Sequence, residues 1–350
     1  MTLTIEKIQA MPKVELHLHL DGSVLPQTLL ELAAEQGAKL PAASAEELSR
    51  YMSAPESCQD LNEYLRTFDF VLPFLQTTSA LERVAYELVE QCAADQVAYV
   101  EVRFAPQLHR LQGLTVLEIY EAVLRGLARG EQQFGVIARC IGICLRGHSE
   151  EQNLEVIEAS GHVLHKGLVA VDLAGAEALY PPELYESVFA LAQKLSLPIT
   201  IHAGEAAGAD SIATAVNRLG ATRIGHGVRL KEDLHILQQV KEQGIPLEFC
   251  PISNLQTKAV AAWSLYPIIE YMEQGITVTV NTDNLTVSQT SLSKELYTLQ
   301  QQCGLTTEGM IQLQRNAAAA IFLEEPAKSR FAARFEEKLE QWIRHLQQDA

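Results

Sequence analysis

The feature that most constrains the fold is an alternation of short β-rich runs with amphipathic segments along most of the chain. The runs are apolar and bounded by turn-forming residues, while stretches such as 117–134 and 182–195 have helical spacing of apolar residues. Eight runs can be counted, at 14–20, 97–104, 136–145, 168–173, 198–202, 223–226, 246–250 and 276–281. Eight repeated βα units predict an α/β fold of the (β/α)8 TIM-barrel type, with an open doubly wound sheet as the alternative.

Two segments add helices to this pattern. Residues 26–95, after the first strand, read as mostly helical, and the C-terminal segment carries Phe331, Phe335, Leu339 and Ile343 at helical spacing. The first segment contains an apolar stripe, which either packs into the core or forms a lid over a pocket; its members are Leu61, Tyr64, Leu65, Phe68 and Leu72. We find no Pro/Gly/Ser linker or charge block, so residues 1–350 are expected to form a single domain.

Charge and composition exclude some classes of partner. The 350 residues include 27 basic and 44 acidic side chains, for a net charge of −17, and show no cluster of Lys and Arg. A nucleic-acid partner is therefore not expected. No signal peptide or apolar stretch of about 18 residues is present, and the six cysteines form no CxxC pair. We expect a cytoplasmic chain with reduced cysteines and no membrane association, while its oligomeric state stays open.

Histidine and acidic residues gather where four of the predicted strands end. The first strand carries His17 and His19 before Asp21, the fifth leads into His202 and Glu205, the sixth ends at His226, and the eighth is followed by Asp283 and Asn284. In a (β/α)8 barrel the C-terminal strand ends meet on one face and form the active site. These side chains are therefore expected to converge.

Four of these residues suit a metal ion. His17 and His19 are two residues apart on a strand, so their rings project from the same face, and His202 and Asp283 add ligands from later strands. Imidazole nitrogens at about 2.0–2.1 Å and a carboxylate oxygen at about 2.0–2.2 Å are typical zinc ligands. An open position toward the barrel mouth would leave room for a water whose pKa zinc lowers to about 7. The fourth strand end reads Asp172-Leu-Ala-Gly175, without the lysine of bridged two-metal sites, so we predict one zinc ion per chain.

Glu205 and His226 are the candidate catalytic residues outside the metal set. Glu205 lies three residues beyond His202 and could transfer protons over the barrel mouth without binding the metal. His226 could orient the attacking water or act as a general base. The structural alternatives are an ordinary glutamate near a helix N-terminus and a hydrogen-bonded core histidine.

The order of motifs along the chain resembles the adenosine deaminase family of the metal-dependent amidohydrolase superfamily. The motifs are PKVELHLHLDGS, YVEVRFAP, VAVDLAGAE, ITIHAGE, RIGHG, FCPISN and VNTDN. The resemblance implies zinc held by His17, His19, His202 and Asp283, with Glu205 protonating purine N1 and His226 beside the attacking water. It further implies a set of substrate contacts made by His19, by Asp21 to a ribose hydroxyl, by the Gly175 N–H to the purine, and by a lid of Leu61, Tyr64 and Phe68.

The activity that this resemblance implies is zinc-dependent hydrolytic deamination of adenosine and 2'-deoxyadenosine, in purine salvage. Many family members carry a second acid after the metal-binding aspartate, whereas this chain has Asn284. An amide donates a hydrogen bond at any pH, so Asn284 is predicted to serve purine N7 still. The alternatives are deamination of adenine or of another adenine-bearing metabolite such as aminofutalosine, and a catalytically silent relative that binds a nucleoside or a partner protein.

Overall fold

The structure is a computed structural model and describes residues 2–348. Eight strands alternate with helices along the described chain. The strands are β1 (Lys13–His19), β2 (Val97–Phe104), β3 (Ile137–Leu145), β4 (Leu168–Ala174), β5 (Thr200–Ala203), β6 (Arg223–His226), β7 (Leu247–Phe249) and β8 (Val278–Val280).

Fifteen α-helices are defined within the described residues. They are α1 (Ile5–Gln9), α2 (Pro26–Glu35), α3 (Ala45–Met52), α4 (Leu61–Leu65), α5 (Thr78–Ala94), α6 (Val116–Phe134), α7 (Glu150–Val163), α8 (Glu186–Lys194), α9 (Ala209–Asn217), α10 (Leu234–Gln243), α11 (Pro251–Gln256), α12 (Ile268–Glu273), α13 (Leu292–Cys303), α14 (Thr307–Ala320) and α15 (Ala327–Gln348). Short 3-10 turns lie at Asp21–Ser23, Arg66–Phe70, Leu72–Phe74, Pro106–His109, Pro182–Tyr185, Leu230–Glu232 and Trp263–Leu265.

All eight strands are parallel and close into a barrel. Strands β1 to β4 pair in chain order, and so do β5 to β8. Single parallel bridges join the two groups, between Val171 and Ile199 on one side and between Leu18 and Asp283 on the other. The predicted (β/α)8 barrel is therefore confirmed, and the doubly wound alternative, whose sheet would be open, is wrong.

The predicted strand limits differ from the observed ones mainly in the second half of the barrel. The fifth and seventh runs were predicted to begin at Pro198 and Pro246, but β5 begins at Thr200 and β7 at Leu247. Proline has no N–H to donate to a neighbouring strand, so each proline precedes its strand and contributes only its carbonyl, which accepts from Val171 or Ile224. The eighth strand is also shorter than predicted, at Val278–Val280.

The segment after β1 does not form one long helix. Asp60 caps α4 by accepting a hydrogen bond from the Glu63 N–H at 2.9 Å, and after Leu65 the chain continues as two 3-10 turns. The second turn contains Pro73. The apolar stripe therefore spans a short helix followed by tighter turns, an arrangement that its approximate helical spacing did not reveal.

The remaining helices surround the barrel. The C-terminal helix α15 buries Phe331, Phe335 and Leu339 as predicted, whereas Ile343 is only partly buried and Trp342 packs more fully. The six cysteines are all unpaired. No helix within residues 2–348 has both the length and the apolar character required to cross a bilayer.

Candidate metal centre and active site

Three histidines and one aspartate come together at the C-terminal end of the barrel. Ring nitrogens of His17, His19 and His202 lie within 4.8 Å of one another. Asp283 Oδ1 lies 3.5 Å from His17 Nε2 and 3.3 Å from His19 Nε2. The four predicted ligands therefore face one point, although they are contributed by β1, β5 and the turn after β8.

The chemistry of this donor set fits a divalent metal ion such as zinc. His17 Nε2 is buried without a hydrogen-bond partner, as expected of a nitrogen that would bind a metal. Burial lowers the pKa of His19 and of His202, which favours the neutral ligand form. Burial and Arg103 also lower the pKa of His17, but the Asp283 and Glu248 carboxylates outweigh them and raise it overall. A metal ion would take the place of that proton.

Buried carboxylates orient two of the histidine rings. His17 Nδ1 lies 2.8 Å from Glu248 Oε2, and His202 Nδ1 lies 2.9 Å from Asp172 Oδ2. Arg103 joins the two acids, because its guanidinium donates to Glu248 at 2.8 Å and to Asp172 at 2.9 Å. Carboxylates in this position fix the ring tautomer and leave Nε2 facing the metal position.

Two residues of the site have left-handed backbone conformations that residues other than glycine rarely adopt. His226 has φ 60° and Asp283 has φ 61°. Such conformations cost on the order of 1–3 kcal/mol each and are typical of functional sites. At Asp283 the backbone also bonds to β1, with its N–H donating to the His17 carbonyl at 2.9 Å and its carbonyl accepting from the His19 N–H at 2.7 Å.

Glu205 and His226 lie next to the cluster of three histidines and Asp283. His226 Nε2 is 3.6 Å from Glu205 Oε2, and both side chains are buried. The Asn254 amide nitrogen lies 2.9 Å from the other ring nitrogen, His226 Nδ1, and donates a hydrogen bond to it. Because His226 Nδ1 accepts, the ring proton is on Nε2. Burial lowers the pKa of His226 well below its ordinary value, and the ring is therefore neutral.

The Glu205 carboxyl group lies in an environment that favours its protonated form. Burial, followed by the negative charges of Asp283 and Glu177, raises the pKa of Glu205 well above its ordinary value. A carboxylic acid that stays protonated near neutral pH can act as a hydrogen-bond donor and a general acid.

A cavity of about 270 Å³ opens above these groups. All the predicted site residues line it except His17, which lies fully buried beneath. Its apolar wall includes Leu61, Tyr64 and Phe68 from the segment after β1. These three residues line the cavity, and Tyr64 and Phe68 also pack in a small buried cluster with Cys58 and Val287.

The remaining predicted contacts surround the same cavity. Gly175 directly follows β4 and has φ 109°, which allows a tight turn there. Asp21 is buried, and burial together with Asp283 raises its pKa to about 6. The Asn284 amide nitrogen donates to the Tyr64 hydroxyl at 2.9 Å, while its Oδ1 has no partner and would lie only 1.7 Å from a Cβ at position 22. Glycine is therefore required at position 22.

Several residues of the site were not identified from the sequence. Three of them contact the histidines or their acid partners: Arg103, Glu248 and Asn254. A fourth, Arg146, lines the cavity and donates to the His202 carbonyl at 2.8 Å. A signal was available for the first two, because Glu248 is the one charged residue of β7, and Arg103 and Glu101 are charged residues among the apolar residues of β2. Asn254 and Arg146 follow strands, and their partners could be identified only from the fold.

Comparisons with known proteins agree with this geometry. The sequence profile of the family described as adenosine deaminase matches residues 12–338. An adenosine deaminase from Enterococcus faecalis is 46% identical over 323 residues, which are 92% of this chain and 95% of that protein.

Similar solved structures share the fold. An adenine deaminase from Arthrobacter aurescens is 28% identical, with a TM-score of 0.86 over 95% of this chain and 99% of that one. An amidohydrolase from Burkholderia ambifaria, solved with bound zinc, has a TM-score of 0.88 at 23% identity, over 99% and 96% of the two chains.

Proposed function

Because the chain belongs to the adenosine deaminase family, we propose that it hydrolyses adenosine and 2'-deoxyadenosine to inosine and 2'-deoxyinosine, releasing ammonia in purine salvage. The observation that carries this proposal is the arrangement of Glu205 beside the His17, His19, His202 and Asp283 cluster, within a single cavity. The chain is a hydrolytic enzyme of a metal-dependent family.

The four clustered residues would hold one zinc ion per chain. When bound, zinc would supply an activated water for attack at purine C6. Their buried carboxylate partners keep the histidine rings oriented, and Ser253 donates to Asp283 Oδ2 at 2.5 Å, which leaves Oδ1 directed at the two β1 histidines. The site is therefore held rigid before substrate arrives.

Glu205 is the proposed proton donor. Its buried carboxyl group, whose pKa is raised well above its ordinary value, would protonate N1 of the purine, which makes C6 more electrophilic. His226 presents its Nε2–H toward the same region and would orient the attacking water rather than act as a base, because its other nitrogen is engaged with Asn254.

The cavity suits a purine nucleoside. Its apolar wall of Leu61, Tyr64 and Phe68 would cover the base, the Gly175 N–H would bond the ring, and Asp21 would accept from a ribose hydroxyl. His19 lines the cavity as well and would contact both metal and substrate. Among the described lining residues Arg146 is the one cation, and it is directed to backbone carbonyls, so a nucleotide phosphate has no evident partner.

Asn284 is proposed to donate to purine N7. One of its amide hydrogens is directed to Tyr64, and the other remains for the substrate. The discriminating substrate is 7-deazaadenosine, which lacks the N7 acceptor. The parent enzyme should prefer adenosine, and Asn284→Ala should reduce that preference; an unchanged ratio of kcat/KM values would exclude this role.

We also propose that residues 1–350 form one deaminase domain that works in the cytoplasm on small molecules. The family match over residues 12–338 supports the single domain, and the six unpaired cysteines are typical of a reducing compartment.

The experiment that tests the activity measures metal content and a substrate panel on the same zinc-loaded sample. Adenosine should be deaminated faster than adenine or adenosine monophosphate, as the 46% identity to an adenosine deaminase, against 28% to an adenine deaminase, indicates. Failure to convert adenosine with zinc bound would refute the proposal. A chelated sample that keeps full activity would refute the metal requirement.

A further inference from the structure

The loop that carries Glu205 is held by a single buried carboxylate. Glu177, three residues after the end of β4, accepts backbone N–H bonds from Gly204 at 2.7 Å, Glu205 at 3.0 Å, Ala206 at 2.7 Å and Ala207 at 2.9 Å. A fifth bond comes from the Ser211 hydroxyl at 2.5 Å. We refer to residues 204–207 as the acid loop.

The five bonds use both oxygens of Glu177. Oε2 accepts three of the backbone N–H groups, and Oε1 accepts the fourth together with the Ser211 hydroxyl. Every contact is donated to Glu177, which is the role of an ionised carboxylate. Successive backbone N–H groups directed at one anion form a compact binding site, and such charge-assisted bonds are stronger than neutral ones.

Glu177 is 2% exposed, and within residues 2–348 it is the acceptor of all four backbone N–H groups of the acid loop. The acid loop lies just beyond β5, and Gly204 within it has φ 70°. The backbone N–H groups of this turn do not pair with a neighbouring strand. Glu177 therefore takes the place of a strand in fixing the conformation of these residues.

We propose that Glu177 is a positioning residue for the reaction, because its carboxylate fixes the acid loop and thereby the direction of the Glu205 side chain. The inference rests on the proposed role of Glu205 as proton donor. Glu177 also links the two proposed substrate contacts of Gly175 and Glu205. It follows Gly175 by two residues in the segment after β4 and binds the Glu205 backbone, so the Gly175 N–H and the Glu205 side chain are held at a fixed separation.

The test is the substitution Glu177→Gln in the zinc-loaded enzyme. An amide nitrogen cannot accept, so this change removes two of the five bonds if it replaces Oε1 and three if it replaces Oε2. A misplaced acid costs rate more than binding, so kcat for adenosine should fall about 10–100-fold while KM changes less than about threefold. Amide hydrogen exchange at 204–207 should become at least about tenfold faster.

A matched control is Glu183→Gln. Glu183 accepts a hydrogen bond from Thr214 on the same helix, α9, that carries Ser211, but it makes no contact with the acid loop. This variant should keep the parental kcat and the parental exchange at 204–207. A similar loss in both variants would mean that any lost carboxylate on this side of the barrel impairs the enzyme, and would overturn the inference.

A double-mutant cycle separates positioning from general structural damage. If Glu177 acts through Glu205, then adding Glu177→Gln to Glu205→Gln should lower kcat less than about twofold further. Multiplicative losses in the double variant would overturn the inference. Should Glu177→Gln not fold, Ser211→Ala removes one donor and is expected to lower kcat about threefold and to speed exchange at 204–207; no change in either would overturn it.

The outcomes also distinguish this inference from the proposed function. If the zinc-loaded parent does not deaminate adenosine, the proposed function fails, whatever the exchange data show. If the parent is active and Glu177→Gln loosens the acid loop without lowering kcat, the proposed function stands and the positioning role of Glu177 fails.

Discussion

The substitution Asp172→Asn should weaken zinc binding without removing a ligand. The Asp172 carboxylate lies 2.9 Å from His202 Nδ1 and 2.9 Å from Arg103 Nη1, and all three side chains are buried. Burial raises the pKa of Asp172, but its interactions with His202 and with the Arg103 guanidinium outweigh burial and hold this pKa below its ordinary value. An amide could still orient the ring, yet it would lose the charge that makes His202 a better ligand.

The expected loss of zinc affinity follows from the contact that Asp172 makes with His202. Removing a carboxylate that supports a ligand typically weakens metal affinity about 10–100-fold, or about 1.4–2.7 kcal/mol. At a free zinc concentration of 100 times the parental Kd, zinc stabilises the parent by about 2.7 kcal/mol. A 100-fold weaker variant would retain only about 0.4 kcal/mol of that stabilisation at the same zinc concentration.

The assay is zinc competition with a chelator of known affinity, together with unfolding measured without zinc and at a free zinc concentration of 100 times the parental Kd. Glu101→Gln is the control, because Glu101 is a buried acid paired with Arg223 at 2.6 Å and contacts none of the metal-binding histidines. It should lower the free energy of unfolding of the metal-free protein and leave the zinc Kd unchanged. A parental Kd in Asp172→Asn, or an equal loss in both variants, would refute the reasoning.

Three further predictions concern other parts of the molecule. Glu205→Gln should lower kcat for adenosine about 100-fold or more with a small change in KM, because the amide has no acidic proton to transfer; a variant as active as the parent in steady-state assays would exclude Glu205 as the acid. Tyr64→Phe removes a hydroxyl that contacts Asn284 and Ser288. For each kcal/mol of substrate-binding free energy lost with these bonds, KM should rise about fivefold, while kcat stays near the parental value. An unchanged KM would contradict the expected lid contact. Burial lowers the pKa of His109 to about 4. As pH falls from about 6.5 to 4, the His109 ring is therefore protonated in the unfolded state before it is protonated in the folded state. Up to about 3 kcal/mol of the stability present above pH 6.5 is lost over this range. Denaturant unfolding of His109→Asn, which can keep the bond to the Leu75 carbonyl, should show a shallower loss over that range than the parent, and equal slopes would contradict the assignment.

The barrel and the clustering of the candidate metal-binding residues could be predicted because both depend on local patterns. Strand and helix periods are visible in short windows, and the rule that parallel strands end on one face gathers His17, His202 and Asp283 without any knowledge of distances. The same rule brought Glu205 and His226 to the site. Their proximity, 3.6 Å between Nε2 and Oε2, required the structure.

The supporting residues could not be predicted because their function depends on partners from distant parts of the chain. Glu248 is a single acid in an apolar run, and only the closed barrel places it 2.8 Å from His17. Glu177 lies within a motif that the sequence singled out, yet four of its donors follow the end of β5 and the fifth lies on α9. The two 3-10 turns after α4 were not predicted for a different reason. An apolar stripe packs against the barrel whether its backbone is α-helical or 3-10, so the apolar pattern does not distinguish the two.

The bridge between the first and last strands determines when the site can come into existence. The backbone of Asp283 joins β1 through both its N–H and its carbonyl, at the residues on either side of Leu18. His17 lies near the start of the chain and Asp283 follows the last strand, so the two are far apart in the sequence. The four clustered residues therefore come together only once β8 has joined β1 and the barrel has closed.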